Sequence, residues 1–412
     1  MKYLIKKAKV IDLNSKYHGK LVDIAIVNGV IEEIKSSIST QGNFKITQSA
    51  DLHVSPSWID IGTQIGEPGL EHRETIESIA KAAKAGGYGA IAAFPNTSPS
   101  IQTKSSVKYI IDKANENKLK LLPIASLSEN NDGKEITEMY DLHTSGAVAF
   151  SDGLKSIAHA GLLSKALEYV KPFDGLIIHY PNEKTISPEA QMHEGGVSTL
   201  LGMRGNPYIA ELITLKRDLD LLNYTESKLC IYGISAGESV KLIKDAKKAN
   251  HRLYATVCYL NLIKTDQDLS DFDSNYKVIP PLRRKNDLTE LIKGLKEDTI
   301  DAIVSNHYPI EEEGKNLEFA YAKFGASGIE TCFAALNTYA NSLDLDTLIY
   351  KLSIGPRIVL NRPQSIIASG NKADMTIFDP SQSWTFHKTQ SVSKNNPFLG
   401  ETLKGSVIDV IN

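Results

Sequence analysis

The sequence predicts an α/β protein: a parallel (β/α)8 barrel of the TIM type, with a small β domain assembled from both chain ends. Two observations carry this. Eight short apolar runs recur through the middle of the 412-residue chain with mostly helical patterns between them, as buried parallel strands require. Both ends instead carry short, β-branched, partly alternating runs between Gly, Asn, Asp and Ser clusters. The expected division is residues 1–54 and 357–412 for a composite β-sandwich and 55–356 for the barrel.

At the N-terminal end the strand candidates are "YLIKKAKVID", "LVDIAIVNGVIEEI" and "FKITQSADL", with Asn28-Gly29 as a hairpin turn. The barrel runs are "SWIDIG", "YGAIAAFPN", "KLLPIAS", "AVAFSD", "GLIIHY", "KLCIYGIS", "RLYATVCY" and "DAIVSNH". Between them, "HRETIESIAKAAKAGG" puts Ile76, Ile79, Ala80 and Ala83 on one helix face and stops at glycine. "SAGESVKLIKDAKKAN" offers Ser235 as a cap, and "SGIETCFAALNTYANSL" is a third helix. The closing strands are "SIIASG", "ADMTIFD", "SWTFH" and "GSVIDVIN".

The bulk numbers exclude several classes. A net charge of −3 gives no reason to expect nucleic acid or an anionic membrane as partner. Cys230, Cys258 and Cys332 make no close-spaced zinc or redox pattern, and an odd count argues against a disulfide framework. The first residues lack the continuous apolar core of a secretory signal, and no run approaches the roughly 18 apolar residues that span a bilayer. A cytoplasmic protein is expected.

In a (β/α)8 barrel the chemistry sits at the C-terminal strand ends. Strand one ends at Gly62-Thr63-Gln64; glycine offers no ligand, and a neutral amide suits zinc poorly. Strand two ends near Asn96, either a ligand-facing amide or an Asn-Thr turn. Asp152 after strand four is a metal candidate or an Asp-Gly turn. His179 after strand five is a ligand or a histidine satisfied by hydrogen bonds. In strand six Cys230 and Gly233 differ in parity, so Cys230 cannot replace a ligand at 233 and is read as a small buried hydrophobe. Strand eight ends in Asn306-His307, and an Asn cannot act as the base that an Asp could be. The basic stretch Arg283 to Lys285 reads as solvated, although Arg283 follows the stiff Pro280-Pro281 pair, and a fixed Arg near a barrel mouth could hold a carboxylate. His53 and His72 read as surface residues, and His193 as part of a Gly-rich turn.

Over nearly its whole length the chain resembles a type I dihydroorotase of the amidohydrolase superfamily. The matching segments are "EPGLEHRETIESIAKAAKAGGYGAIAAFPNTSP", "AVAFSDG", "EGGVSTLLGMRGNPYIAELITLKRDL", "YKVIPPLR" and "FGASGIET", in that order, with the C-terminal "ADMTIFDPSQSWTFHKTQSVSKNNPFLGETLKGSV". The resemblance implies a metal-dependent hydrolase barrel that cyclises N-carbamoyl-L-aspartate to dihydroorotate in pyrimidine synthesis, with one or two zinc ions. Residue by residue, its first-strand His-x-His-x-Arg motif is Gly62, Gln64 and Gly66 here. Its fourth-strand Asp and fifth-strand His are kept as Asp152 and His179. Its sixth-strand His is Gly233, and its eighth-strand catalytic Asp is Asn306. Asn96 is kept, the Asn before the Pro-Pro pair is Ile279, and the Pro-His-His segment after strand seven is Tyr259-Leu260-Asn261.

A catalytic zinc takes about three protein ligands. Asp152 and His179 supply two, and His307 would have to turn inward to supply a third. The expectation is a catalytically inactive homologue with no catalytic residue, metal or cofactor, and a pocket containing Asn96, Arg283 and His307. Restoring the lost residues together should regain metal before turnover. Its expected role is assembly with aspartate carbamoyltransferase, with which relatives of this family associate; self-association into a homo-oligomer is also expected. Two rivals stay open: an active dihydroorotase with an atypical zinc site, and a metabolite sensor using Asn96, Arg283 and His179.

Overall fold

The computed structural model describes residues 2–39 and 43–412. All eight apolar runs of the middle region form strands: β1 Trp58–Thr63, β2 Tyr88–Ala93, β3 Lys120–Ser126, β4 Ala149–Ser151, β5 Ile177–His179, β6 Leu229–Ile231, β7 Leu253–Cys258 and β8 Ala302–Val304. Each is parallel to the next in chain order. Side chains with a period of two, including Ile59, Ile61, Ala90, Ala92, Ile178, Cys230, Ala302 and Val304, fill the interior as one apolar cluster. The barrel is a packed core rather than a pore.

β1 and β8 meet through side chain and backbone. Asp60, fully buried, accepts from the Ser305 N–H and hydroxyl at 2.7 Å each. One turn higher, the Gln64 N–H donates to the His307 carbonyl at 3.0 Å. Burial pushes the Asp60 carboxyl up, and the Ser305 and Thr63 donors oppose it.

The first helix runs Ile76–Ala85, capped by Thr75 and ended at Gly86, with Ile76, Ile79, Ala82 and Ala83 buried. Ser235 is not a cap: helix Gly237–Ala249 starts after Ala236, and the Ser235 hydroxyl is spent on Glu211.

Strands from both ends, Lys2–Val10, Leu21–Val27, Val30–Lys35, Lys45–Thr47, His53–Pro56, Met375–Thr385 and Thr402–Ile411, form one seven-stranded sheet. The expected sandwich is therefore one continuous hydrogen-bonded sheet around its own apolar cluster. Asn28 and Gly29 take the left-handed conformation of a tight hairpin, with φ of 51° and 78°. "SIIASG" forms no strand; its Ile367 N–H caps the Asp12 carboxylate at 2.8 Å. His53 is buried rather than at the surface, stacked on Phe378. The stretch 389–398 leaves the sheet and lies on the barrel, where Ser393 bonds the Arg73 carbonyl at 2.8 Å and Asn395 the Tyr308 carbonyl at 3.0 Å.

Candidate functional site

The strand ends are occupied differently from a metal centre. Beyond β6, the Tyr232 N–H donates to the His179 carbonyl at 2.8 Å, which turns the Tyr232 ring inward. There it meets Phe94 edge-on, with centroids 4.9 Å apart. Both rings are buried, and they lie over Gly62. A Cβ at residue 62 would lie 2.6 Å from the Tyr232 ring and 2.7 Å from that of Phe94, and Gly62 has φ +85°. A side chain there meets both steric and backbone strain. Gly66 is equally committed, because a Cβ would run into the Glu74 carbonyl. Restoring a histidine at 62 and an arginine at 66 therefore requires the surroundings to be rebuilt. The Tyr232 hydroxyl is buried without a partner, and burial holds it well above the usual phenol range.

Asp152 and His179 are engaged by the protein's own groups. Asp152 accepts from the N–H groups of Leu127 (3.2 Å) and Ser128 (2.9 Å) and from the Ser128 hydroxyl (2.5 Å). Burial pushes its carboxyl up against those donors. His179 sits between Asp218, 2.6 Å from Nδ1, and the Ile157 N–H, 2.8 Å from Nε2. The backbone N–H can only donate, so Nε2 accepts and Nδ1 carries the proton. His179 is the satisfied histidine of the two readings, and its lone pair is already used.

His307 does not turn toward the mouth. Its Nε2 lies 3.1 Å from Glu74, fully buried, and the same carboxylate takes bonds from the Ser78 and Ser391 hydroxyls. Asn306 donates to the Ile279 carbonyl at 2.9 Å. Gly233, with φ +66°, lies past the end of β6, and its missing Cβ would face Cys258 Sγ at 3.3 Å. The parity argument for Cys230 fails because the strand stops at Ile231; its conclusion stands, since Cys230 packs inside the barrel.

Arg283 is also off the mouth. It is buried and donates to the Ser235 hydroxyl at 2.7 Å, beside His193 Nδ1 at 3.2 Å and Glu211 at 3.4 Å. Glu211 in turn accepts from the Ser235 and Ala236 N–H groups and the Ser239 hydroxyl. This network packs helix Tyr208–Thr225 against the loop after β6. His193 is a buried residue of the short strand Met192–His193 rather than a turn residue; burial, then the Arg283 charge, lower its pKa to about 4.

Among the described residues no three His, Cys, Asp or Glu side chains come together as a metal site requires. The donor set at the strand ends does not fit a catalytic zinc. What the mouth offers is a cleft of about 660 Å³, lined by Gln64, Asn96, Tyr308 and Phe324 among others; Arg283 and His307 are not part of it. Asn96 bonds the Asp152 carbonyl at 3.1 Å. Sequence reasoning missed Tyr232, Phe94, Asp218 and Glu74. A visible signal existed for the first: a tyrosine beside Gly233, paired with a glycine at the ligand position 62.

Residues 53–239 match the family described as dihydro-orotase-like. The chain is 36% identical to the dihydroorotase of Syntrophus aciditrophicus over 414 residues, covering 99% of this chain and 97% of that one. It is 37% identical to the dihydroorotase of Thermoanaerobacter sp., covering 99% and 95%. Among solved structures, the L-hydantoinase (dihydropyrimidinase) of Arthrobacter aurescens superposes with a TM-score of 0.85 at 20% identity, covering 99% of this chain and 94% of that one. The dihydropyrimidinase of Brevibacillus agri gives 0.82 at 20% identity, covering 100% and 94%. At such identities the structural likeness is one of fold.

Proposed function

Because the chain belongs to the dihydroorotase family, we propose that it is a member that has lost metal-dependent catalysis and acts as a structural partner of aspartate carbamoyltransferase. One observation carries the loss: the Tyr232 and Phe94 rings take the space above Gly62. The pairing of His179 with Asp218 and the Ile157 N–H supports it. Asn306, at the position of the base, has an amide that does not titrate near neutrality. The partnership is motivated by the family's place in pyrimidine synthesis. The exposed row Ile209, Ile213 and Tyr224 on helix Tyr208–Thr225 is the first surface to test.

Elemental analysis of protein purified without chelator and then dialysed should find well under one zinc per chain. Carbamoyl-aspartate cyclisation should not exceed a protein-free control. Near-stoichiometric zinc together with turnover sinks the inactive reading and restores the active one. For the partnership, the chain is co-expressed with the carbamoyltransferase of the same organism. Co-elution at micromolar concentration supports it, since a stable interface of roughly 1,200–2,000 Å² would survive the column. Independent migration at low and moderate salt rejects it.

A further inference from the structure

The cleft at the barrel mouth carries charge of one sign only. Arg73, Lys155, Lys184 and Lys323 all line it, and no carboxylate does. They come from the loops after β1, β4, β5 and β8, so positive charge approaches from several sides. The whole chain is at −3, so the mouth reverses the sign of the molecule around it. Such a concave patch focuses field lines on an anion.

The four cations are not equivalent. Arg73 and Lys323 share the carboxylate of Glu311, Arg73 through Nε at 2.5 Å. Lys155 and Lys184 form no ion pair among the described residues. The acid that senses Lys155, Asp132, is already paired with Lys134 at 3.1 Å. The wall carrying Lys323 and Phe324 is held from behind by Lys315, whose ammonium donates to the carbonyls of Lys323 and Gly325 at 2.9 Å each and to that of Ser274. A second feature points to a ligand: Asn131, 4% exposed, and Asn96 line the same cleft with their Oδ1 atoms unpartnered, acceptors that call for a donor on the part of the ligand other than its anionic group.

We propose that this cleft binds a small phosphate-bearing metabolite, with the ammonium groups of Lys155 and Lys184 as its charge partners. Phosphate is favoured over carboxylate by the donors left free. A planar guanidinium fork holds carboxylate and phosphate alike, whereas an ammonium serves phosphate as a point charge. The cleft's own arginine, Arg73, has its fork on Glu311. What remains are two point charges on flexible stems, which suit a phosphate. The volume of about 660 Å³ leaves room for an esterified group beside Phe324. The site stands on the cleft alone and does not depend on the carbamoyltransferase partnership.

The test uses the full chain and isothermal titration calorimetry at low salt. The probes are inorganic phosphate, uridine monophosphate, adenosine monophosphate and N-carbamoyl-L-aspartate. At least one phosphate compound should bind at one site per chain. The double variant Lys155→Gln/Lys184→Gln, at exposed positions, should keep its melting temperature and weaken that binding about tenfold, as expected for losing charge-assisted hydrogen bonds. Inorganic phosphate binding as tightly as the esters identifies free phosphate as the ligand. Tighter ester binding that inorganic phosphate displaces identifies an esterified one. Binding of carbamoyl-aspartate alone, unchanged affinity in the double variant, or no binding by any phosphate compound overturns the proposal.

Discussion

Tyr232 stands where a side chain on residue 62 would have to go, 2.6 Å from the Cβ that Gly62 lacks. The two residues are therefore sterically coupled. The small residue at 62 makes room for the ring, and the ring continues the barrel's apolar core up to the mouth.

Gly62→His should destabilise the chain by roughly 2–4 kcal/mol, from overpacking and from placing a Cβ on a backbone at positive φ. In a Tyr232→Ala background the added cost of the histidine should shrink by about 1 kcal/mol or more, since residues in contact couple. Urea denaturation of the four proteins measures this. Simple additivity would show that the ring moves aside freely and that the site is not plugged.

Tyr232→Phe removes a buried hydroxyl that has no partner. Such a deletion avoids a desolvation penalty, so stability should hold or rise by up to about 1 kcal/mol. A clear loss of stability would reveal a hydrogen bond to an ordered water.

Asp218→Ala leaves the His179 Nδ1–H without its acceptor in a fully buried site, with a cost of about 1–3 kcal/mol. In the unaltered protein, nitrogen NMR should show His179 protonated at Nδ1, and zinc should leave its signals unmoved. A zinc-dependent shift would mean that Nε2 gives up the Ile157 N–H for a metal.

Acid should weaken the fold through His193. Its folded pKa of about 4 lies below the unfolded value near 6.5. Between those values the unfolded chain binds the extra proton. Stability is therefore fully present above about pH 6.5 and falls as the pH drops toward 4, by up to about 3 kcal/mol. Glu311 acts in a lower window. Burial opposes its ionisation, but Lys323 and Arg73 hold it at about 2, so its contribution is present above the ordinary carboxylate range and is lost as pH falls through 2. His193→Gln should flatten the upper window and leave the lower one. A profile unchanged by that substitution would place the acid sensitivity elsewhere.

The barrel was legible in the sequence because parallel strands buried on both faces read as apolar runs, and each of the eight runs formed one. The residue types at the strand ends were legible too. The roles of the kept residues were not. His179, His307 and Arg283 are defined by Asp218, Glu74 and Glu211, which lie 39, 233 and 72 residues away along the chain. A strand-end histidine reads the same in sequence whether its partner is a metal or a helix carboxylate. Strand signals at two distant ends also do not say whether they pair into one sheet or two, and here the seven strands make one.

The seven-stranded sheet also sets an order of events during synthesis. Val54 pairs with Ile377, so the strand His53–Pro56 keeps one edge open until almost the whole barrel has left the ribosome. At ~5–20 residues per second that wait lasts on the order of tens of seconds. Through it the nascent chain presents an unpaired apolar edge of the kind that seeks strands from other chains. Strand Met375–Thr385 is then a late closure, and a truncation before residue 375 should leave a ribosome-released chain that aggregates even though every barrel strand is present.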